Sequence, residues 1–100
     1  MSDAPDQRRT IITAESEPAL PRFIKLRHDK ERNRWVLLAP ERILTPDDIA
    51  VEVLKLCDGS RTVHAVASAL AEEYDAPRED ILADTIELLQ GLADKGYLKA

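Results

Sequence analysis

The chain has 100 residues, of which 44% are hydrophobic and 33% are charged, and its formal net charge is −5. This length fits a single domain, and the composition excludes a chain that is disordered throughout. The longest apolar run, residues 35–40, is far shorter than the roughly 20 residues of a membrane helix, and the polar first residues hold no signal-peptide core. We therefore expect a cytoplasmic protein that does not bind membranes.

Side chains with the usual spacing of catalytic or metal sites are absent from the sequence. Cys57, the single cysteine, ends an apolar pattern and is predicted to be buried, because a free cysteine behaves as a small hydrophobic residue. His28 and His64 lie far apart and show no zinc-type spacing. The three glycines are scattered, so no phosphate-binding loop is predicted. The sequence thus predicts neither an enzyme nor a bound metal.

The first twenty residues differ in composition from the rest. Residues 1–20 lack apolar periodicity apart from Ile11 and Ile12, and they contain prolines, serines and acidic residues. This composition is typical of a flexible tail or of an interdomain linker, and the sequence does not separate the two. Residues 21–100 are predicted to form the folded domain.

Three short strands are predicted at the start of this domain. Residues 23–27 alternate between apolar and polar side chains, as a half-buried strand does. Residues 35–38 are rich in β-forming side chains and are closed by Pro40. Residues 42–44 form the third strand, and the polar residues 29–33 suit a hairpin loop between the first two. The three strands therefore predict an antiparallel meander.

Three helices are predicted after the strands. Thr45-Pro46 supplies a capping hydroxyl and a proline for the first helical position, and this helix is expected to end near Cys57. Thr62 is predicted to cap the second helix. The third is predicted to begin at Ala76-Pro77 and to end at Lys95-Gly96. Because strands precede helices without alternation, we predict an α+β, winged-helix-like domain with a three-stranded antiparallel sheet followed by three helices.

The apolar and small uncharged side chains of the third helix form two neighbouring stripes that span roughly 160° of its circumference. A surface helix commonly needs an apolar arc of little more than about 100° to cover the core. Two interpretations follow: part of this face is available to a partner, or a small domain wraps its last helix deeply. One stripe holds Ile81, Thr85, Leu88 and Leu92, and the other holds Leu82, Ile86, Leu89 and Ala93.

The charges are distributed unevenly along the chain. Residues 21–44 carry seven basic and three acidic side chains, net +4, whereas residues 45–100 carry five basic and twelve acidic ones, net −7. An acidic third helix would repel a phosphate backbone, so nucleic-acid binding with this helix in the major groove is disfavoured. The remaining hypothesis is a binding module that adds an extended peptide to its short third strand. Self-association through the wide helix face is the alternative.

Several strings of residues are specific enough to indicate a family. They are Pro21-Arg22-Phe23, Arg34 to Arg42 (RWVLLAPER), Leu56 to Val63 (LCDGSRTV), Tyr74 to Pro77 and Asp84 to Leu89. With these strings, residues 21–98 closely resemble the PqqD family. The resemblance implies a peptide chaperone without a cofactor that binds the ribosomally made precursor peptide PqqA. It also implies that the chaperone presents this peptide to the radical SAM enzyme PqqE in pyrroloquinoline quinone biosynthesis, and that members occur fused behind PqqC.

The resemblance also implies a site, because in related recognition elements the peptide adds to the third strand and lies against the third helix. Four residues are predicted to pair with the peptide backbone: Arg42, Ile43, Leu44 and Thr45. Three are predicted to form the apolar wall of the groove: Leu82, Ile86 and Leu89. The alternative wall is the other stripe: Ile81, Leu88 and Leu92. Four basic residues are candidates for steering an acidic partner through long-range charge: Arg22, Arg27, Arg34 and Arg42.

Overall fold

A computed structural model describes residues 9–100 of the chain. Three strands come first: β1 (Lys25–Asp29), β2 (Arg34–Ala39) and β3 (Arg42–Leu44). Three helices follow: α1 (Asp48–Lys55), α2 (Val63–Tyr74) and α3 (Arg78–Asp94). The strands form one antiparallel sheet in the order β1-β2-β3. The predicted α+β class and the predicted order of elements are confirmed, whereas the likeness to a winged helix stays a prediction.

Both turns of the sheet follow from their residues. Asp29 ends β1, and its carboxylate accepts hydrogen bonds from the backbone N–H groups of Glu31 and Arg32 at 3.1 and 3.3 Å. Pro40 and Glu41 connect β2 to β3, and Glu41 has a φ of 62°. A proline followed by a residue of positive φ is the arrangement of a type II turn. This tight turn returns β3 directly alongside β2.

The two faces of the sheet have different neighbours. On the inner face, Leu37 is 1% exposed, and Leu44, which is aligned with it on β3, packs against the core. On the outer face, Ile43 is 67% exposed and is aligned with Leu38 of β2. The short strand β3 therefore has one half-buried side and one solvent side, as is common in antiparallel sheets.

Helix α1 begins later than the sequence predicted. Asp47 is its N-cap residue, and the Asp47 carboxylate accepts a hydrogen bond from the backbone N–H of Ala50 at 2.8 Å. The predicted cap at Thr45 is wrong, because aspartate caps a helix at least as well as threonine and Asp47 stands two residues closer to the first buried turn. The helix ends at Lys55, two residues before the predicted end at Cys57.

The other two helices have the ends that the sequence indicates. The Thr62 hydroxyl caps α2 by accepting a hydrogen bond from the backbone N–H of Ala65 at 3.0 Å, so this prediction is confirmed. Helix α3 follows Pro77 and ends at Asp94, and the chain then turns at Gly96, where φ is 84°. A left-handed residue after a helix is the usual stop, and glycine adopts it without steric strain.

The core lies between the inner face of the sheet and the three helices, and helix α2 is its centre. The predicted burial of Cys57 is confirmed, and its thiol donates a hydrogen bond to the Val53 carbonyl at 3.2 Å. The buried core residues are Ile12, Ile24, Leu37, Val53, Leu54, Cys57, Val63, Val66, Leu70, Leu89 and Leu98.

The segment that leads into β1 packs on the domain without forming a helix. Ile12 is 4% exposed and belongs to the core. The carbonyl of Ser16 accepts a hydrogen bond at 2.9 Å from the backbone N–H of Val63, one of the donors that the first turn of α2 leaves unpaired. Residues 9–20 therefore differ from the predicted flexible tail or linker, because they satisfy donors and fill core space. Residues 1–8 of that predicted segment lie outside the described residues.

None of the helices within residues 9–100 is both long enough and apolar enough to cross a membrane. In the same residues, no group of three or more His, Cys, Asp or Glu side chains is arranged to hold a metal ion.

Candidate binding groove

Strand β3 forms an open edge of the sheet. It pairs with β2 on one side, with Ile43 opposite Leu38 and Leu44 opposite Leu37. Among residues 9–100, no further strand pairs with its other side. Such an edge leaves backbone N–H and C=O groups without strand partners, and an extended chain can satisfy them by adding as a fourth strand. The edge strand has only three residues, so only a short stretch of extended peptide can pair with it.

A cavity of about 430 Å³ lies beside this edge, between β3, the start of α1 and α3. We call it the strand-side cavity. Leu37 and Leu54 are almost fully buried and form its base. Leu44 lines it from the strand, and Leu88 and Leu92 line it from α3. The cavity is therefore an apolar depression placed where the side chains of an added strand would point.

A second cavity of about 290 Å³ lies between α1, α2 and α3, and we call it the helix-side cavity. Its base is apolar, because Val53 and Leu70 are 1% and 3% exposed. Ile49 and Tyr74 also line it, and they are unusually open to solvent for large side chains, with 57% and 46% exposure. An apolar base with exposed apolar sides is typical of a site that receives a ligand.

The two cavities share Asp47 and Leu88 among their lining residues. They therefore lie end to end along α3, and together they form what we call the groove. The groove begins beside β3 and continues between the helices.

The structure brings the predicted strand residues to the start of the groove. Leu44 and Thr45 line the strand-side cavity directly. Arg42 and Ile43 are exposed on the same edge strand. The assignment of peptide pairing to these four residues stays a prediction, but they occupy one continuous stretch of open backbone next to an apolar cavity.

The structure places the predicted helix residues elsewhere. Leu89 is fully buried in the core and lines neither cavity, so this conformation gives its assignment to the groove wall no support and the assignment stays a prediction. Leu82 and Ile86 are partly buried against the core and line neither cavity. The alternative stripe does line the groove, with Ile81, Leu88 and Leu92 contributing to one or both cavities.

The residue types of the two stripes give a partial signal for which stripe lines the groove. Leu82, Ile86, Leu89 and Ala93 form a purely apolar stripe, which is what a core-facing stripe needs. The other stripe contains Thr85 and borders Asp84, and both of these residues line the helix-side cavity. A flanking carboxylate fits a cavity wall better than a core, and Thr85 lies at the border of the two, because it lines the cavity and is 3% exposed.

The helix-side cavity has an acidic rim. Asp47, Glu52 and Asp84 all line it. Desolvation, followed by the negative charges of Glu73 and Glu52, raises the pKa of the Tyr74 hydroxyl at the same place. One cation is close: the Lys55 ammonium lies 3.3 Å from the Glu52 carboxylate.

Three of the four arginines predicted to steer an acidic partner, Arg27, Arg34 and Arg42, lie on the strands of the sheet. Arg27 is aligned with Val36, and its exposed side chain shares the outer face with Ile43 and Arg34. The exposed Arg42 belongs to β3 and is aligned with inner-face Ala39. The uneven distribution of charge along the sequence therefore becomes a spatial separation between a basic sheet and acidic helices. The steering role of the arginines stays a prediction.

Comparisons with known proteins give consistent results. The family described as "Coenzyme PQQ synthesis protein D (PqqD)" matches residues 34–98. A "PqqA binding protein" of Rhodopseudomonas palustris strain HaA2 is 57% identical over 91 residues, which cover 91% of this chain and 89% of that protein. The protein of the same name from Xanthomonas oryzae pv. oryzae is 47% identical over 88 residues, covering 88% of this chain and 96% of that protein.

Two solved structures are similar over nearly their whole length. One is the solution NMR structure of the PqqD truncation of Methylobacterium extorquens PqqCD, described as a functional, stand-alone recognition element for ribosomally synthesised and modified peptides. It has a TM-score of 0.80 and 46% identity, and the match covers 93% of this chain and 99% of that one. The other is the crystal structure of PqqD from Xanthomonas campestris, with a TM-score of 0.58, 43% identity, and coverage of 89% and 99%.

Proposed function

Because this chain belongs to the PqqD family, we propose that it is a peptide chaperone that binds the precursor peptide PqqA in pyrroloquinoline quinone biosynthesis. The observation that carries this proposal is the open edge of β3 beside the apolar strand-side cavity. An extended peptide gains backbone hydrogen bonds from such an edge and specificity from the side chains that enter the cavity. The names of the relatives as PqqA binding proteins support the choice of peptide.

In this proposal, the peptide backbone pairs with Arg42, Ile43 and Leu44 and reaches Thr45 at the end of the strand. Strand alternation then directs every second peptide side chain into the strand-side cavity, towards Leu88 and Leu92 of α3. The remaining side chains point to the outer face, beside Ile43.

Presentation to the radical SAM enzyme PqqE is the second part of the proposal. A chaperone that holds the peptide along one edge leaves the outer face of the sheet and the peptide's own outward side chains accessible to an enzyme. The Methylobacterium extorquens neighbour is part of PqqCD, which supports a link to PqqC as well. The role is one of binding without catalysis or a cofactor of its own, and we place it in the cytoplasm.

Nucleic-acid binding is the rival function, and the surface of α3 argues against it. A helix in the major groove needs cationic side chains to neutralise phosphates. The exposed charges of α3 are mainly carboxylates: Glu79, Asp80, Asp84, Glu87 and Asp94, against Arg78 alone within the helix.

The test is an NMR titration of the isotope-labelled chain with the PqqA peptide, with a double-stranded DNA of similar charge as the control. We expect the peptide to shift the amide signals of residues 42–45 and of Leu88 and Leu92, and DNA to shift neither group. A PqqA analogue with N-methyl groups on alternate residues removes the donors that an added strand needs, and one of its two registers should abolish binding. A spectrum unchanged by PqqA would refute peptide capture.

A further inference from the structure

The helix-side cavity combines two properties that require a particular kind of occupant. Its base is made of Val53 and Leu70, which are nearly inaccessible to water, and Ile49 and Tyr74 stand exposed beside it. Its rim carries carboxylates. An apolar base favours hydrocarbon, whereas the rim favours positive charge.

The three rim carboxylates are not equivalent. Asp47 is occupied as the N-cap of α1, with its Oδ1 accepting from the backbone N–H of Ala50 at 2.8 Å. Glu52 already has the Lys55 ammonium at 3.3 Å. Asp84 makes no hydrogen bond and no ion pair to any other side chain within residues 9–100, although it lines the cavity. Asp84 is therefore the carboxylate with unused capacity to accept a cationic donor.

We propose that the helix-side cavity is a subsite for one cationic side chain, lysine or arginine, of the captured peptide. The aliphatic stem of that side chain lies over the apolar base, and its charged end reaches the rim at Asp84. This inference rests on the proposed function and specifies the peptide chemistry that the groove selects.

Position along the groove supports this occupant. Peptide that pairs with β3 fills the strand-side cavity, and the two cavities meet at Asp47 and Leu88. A residue just beyond the paired segment therefore reaches the helix-side cavity while the strand pairing is kept. An acidic residue there would be repelled by the rim, and a neutral apolar one would remove water from carboxylates without pairing them, so the site discriminates against both.

The experiment measures the affinity for PqqA of the wild-type chain and of Asp84→Asn, which keeps the shape and removes the charge. Glu87→Gln is the matched control, because Glu87 is exposed on the same helix and lines neither cavity. In parallel, each lysine and arginine of PqqA is replaced in turn by norleucine, which keeps an aliphatic stem without the charge. Every protein variant is combined with every peptide variant in a double-mutant cycle.

We expect Asp84→Asn to weaken binding about fivefold, the range of a partly exposed ion pair, and Glu87→Gln to change it less than about twofold. One of the norleucine-substituted peptides should bind the wild-type protein about fivefold more weakly than PqqA does. The same peptide should bind Asp84→Asn as tightly as unsubstituted PqqA binds Asp84→Asn. Asp84→Lys should bind poorly, and a glutamate at that same peptide position should restore part of the affinity.

Equal effects of Asp84→Asn and Glu87→Gln, or cycles that are additive for every peptide cation, would overturn the subsite while leaving peptide capture intact. If wild-type protein did not bind PqqA at all, both proposals would fail together. The two failures are therefore distinguishable in the same set of titrations.

Discussion

The side-chain carbonyl of Gln90 accepts a hydrogen bond from the backbone N–H of Ile12 at 2.8 Å. The amide nitrogen of the same side chain donates to the carbonyl of Thr10 at 2.8 Å and to the Asp94 carboxylate at 2.9 Å. Gln90 thus forms hydrogen bonds with the backbone C=O of Thr10 and the backbone N–H of Ile12, as the backbone of a neighbouring strand would. This pairing fixes the segment that precedes the sheet to α3, opposite the groove-lining stripe, and it positions Ile12 in the core.

Replacing Gln90 with alanine tests this connection. Two hydrogen bonds to partly buried backbone are lost, so we expect Gln90→Ala to lower the free energy of unfolding by about 1–2 kcal/mol, measured by urea denaturation. The amide of Ile12 should exchange with solvent faster than in the wild type, while core amides of α2 change only in proportion to global stability. Glu87→Ala, on the exposed face of α3, serves as the control. Unchanged exchange at Ile12 would contradict the role assigned to Gln90.

Burial of Cys57 makes a prediction about pH. Desolvation raises the pKa of the thiol from its ordinary value of 9.0 to about 12. Below pH 9 the thiol is protonated in both the folded and the unfolded chain, so it adds no pH dependence. Between pH 9 and 12 the unfolded chain loses this proton and the folded chain keeps it, so stability falls as pH rises.

We therefore expect the wild type to lose about 1.4 kcal/mol more unfolding free energy than Cys57→Ala between pH 8 and pH 10. Denaturant titrations of both proteins at the two pH values, under a reducing agent, measure this difference. The variant cancels the titration of other groups, including Tyr74. Parallel pH profiles for the two proteins would show that the Cys57 thiolate is tolerated in the folded state.

Ser68 in α2 carries a buried hydroxyl with no hydrogen-bond partner among the residues that the structure describes. A buried hydroxyl without a partner costs free energy, and alanine is also the better helix former. Ser68→Ala should therefore raise the unfolding free energy by about 1 kcal/mol, which for a domain of this size corresponds to a Tm increase of roughly 4–8 °C. Ser60→Ala, which removes a 2.7 Å bond to Asp58, should lower it instead. Destabilisation by Ser68→Ala would indicate that the hydroxyl is satisfied by water.

The order of the elements, the bounds of β3 and the start of α2 could be predicted because their signals are local, whereas β1 (Lys25–Asp29) lies two residues later than the predicted 23–27. Thr62 is the cap that its surroundings indicate, and Pro40 closes β2 because proline cannot donate to a ladder. The start of α1 is harder to predict, because Thr45 and Asp47 are both good caps two residues apart. Packing of the first buried turn, which the sequence alone does not locate, decides between them.

The groove wall was predicted less well, for a geometric reason. Helical periodicity shows that two apolar stripes lie side by side on α3, but it does not show which stripe faces α2. Similarly, the backbone N–H of Ile12 donates its hydrogen bond to the side chain of Gln90, 78 residues away in sequence, and this contact accompanies the burial of Ile12. Helical periodicity alone locates neither feature, because each depends on which elements become neighbours in the folded chain.

The two stripes of α3 can be separated by experiment. Leu92 lines the strand-side cavity, whereas Ile86 lines neither cavity; both side chains are partly buried and pack against the core. We expect Leu92→Ala to weaken PqqA binding about five- to tenfold, because it removes apolar contact area from the ligand, and to lower the unfolding free energy by about 1–3 kcal/mol. Ile86→Ala should lower the unfolding free energy by a similar amount but leave the affinity within about twofold of the wild type.

Calorimetric titration with PqqA gives the affinities, and urea denaturation gives the stabilities of the same preparations. Both variants remove apolar volume from the same helix, less than two turns apart, so general effects on α3 are matched. A larger loss of affinity for Ile86→Ala than for Leu92→Ala would restore the stripe of Leu82 and Ile86 as the groove wall. It would also require α3 to rotate on binding, because neither Leu82 nor Ile86 lines either cavity.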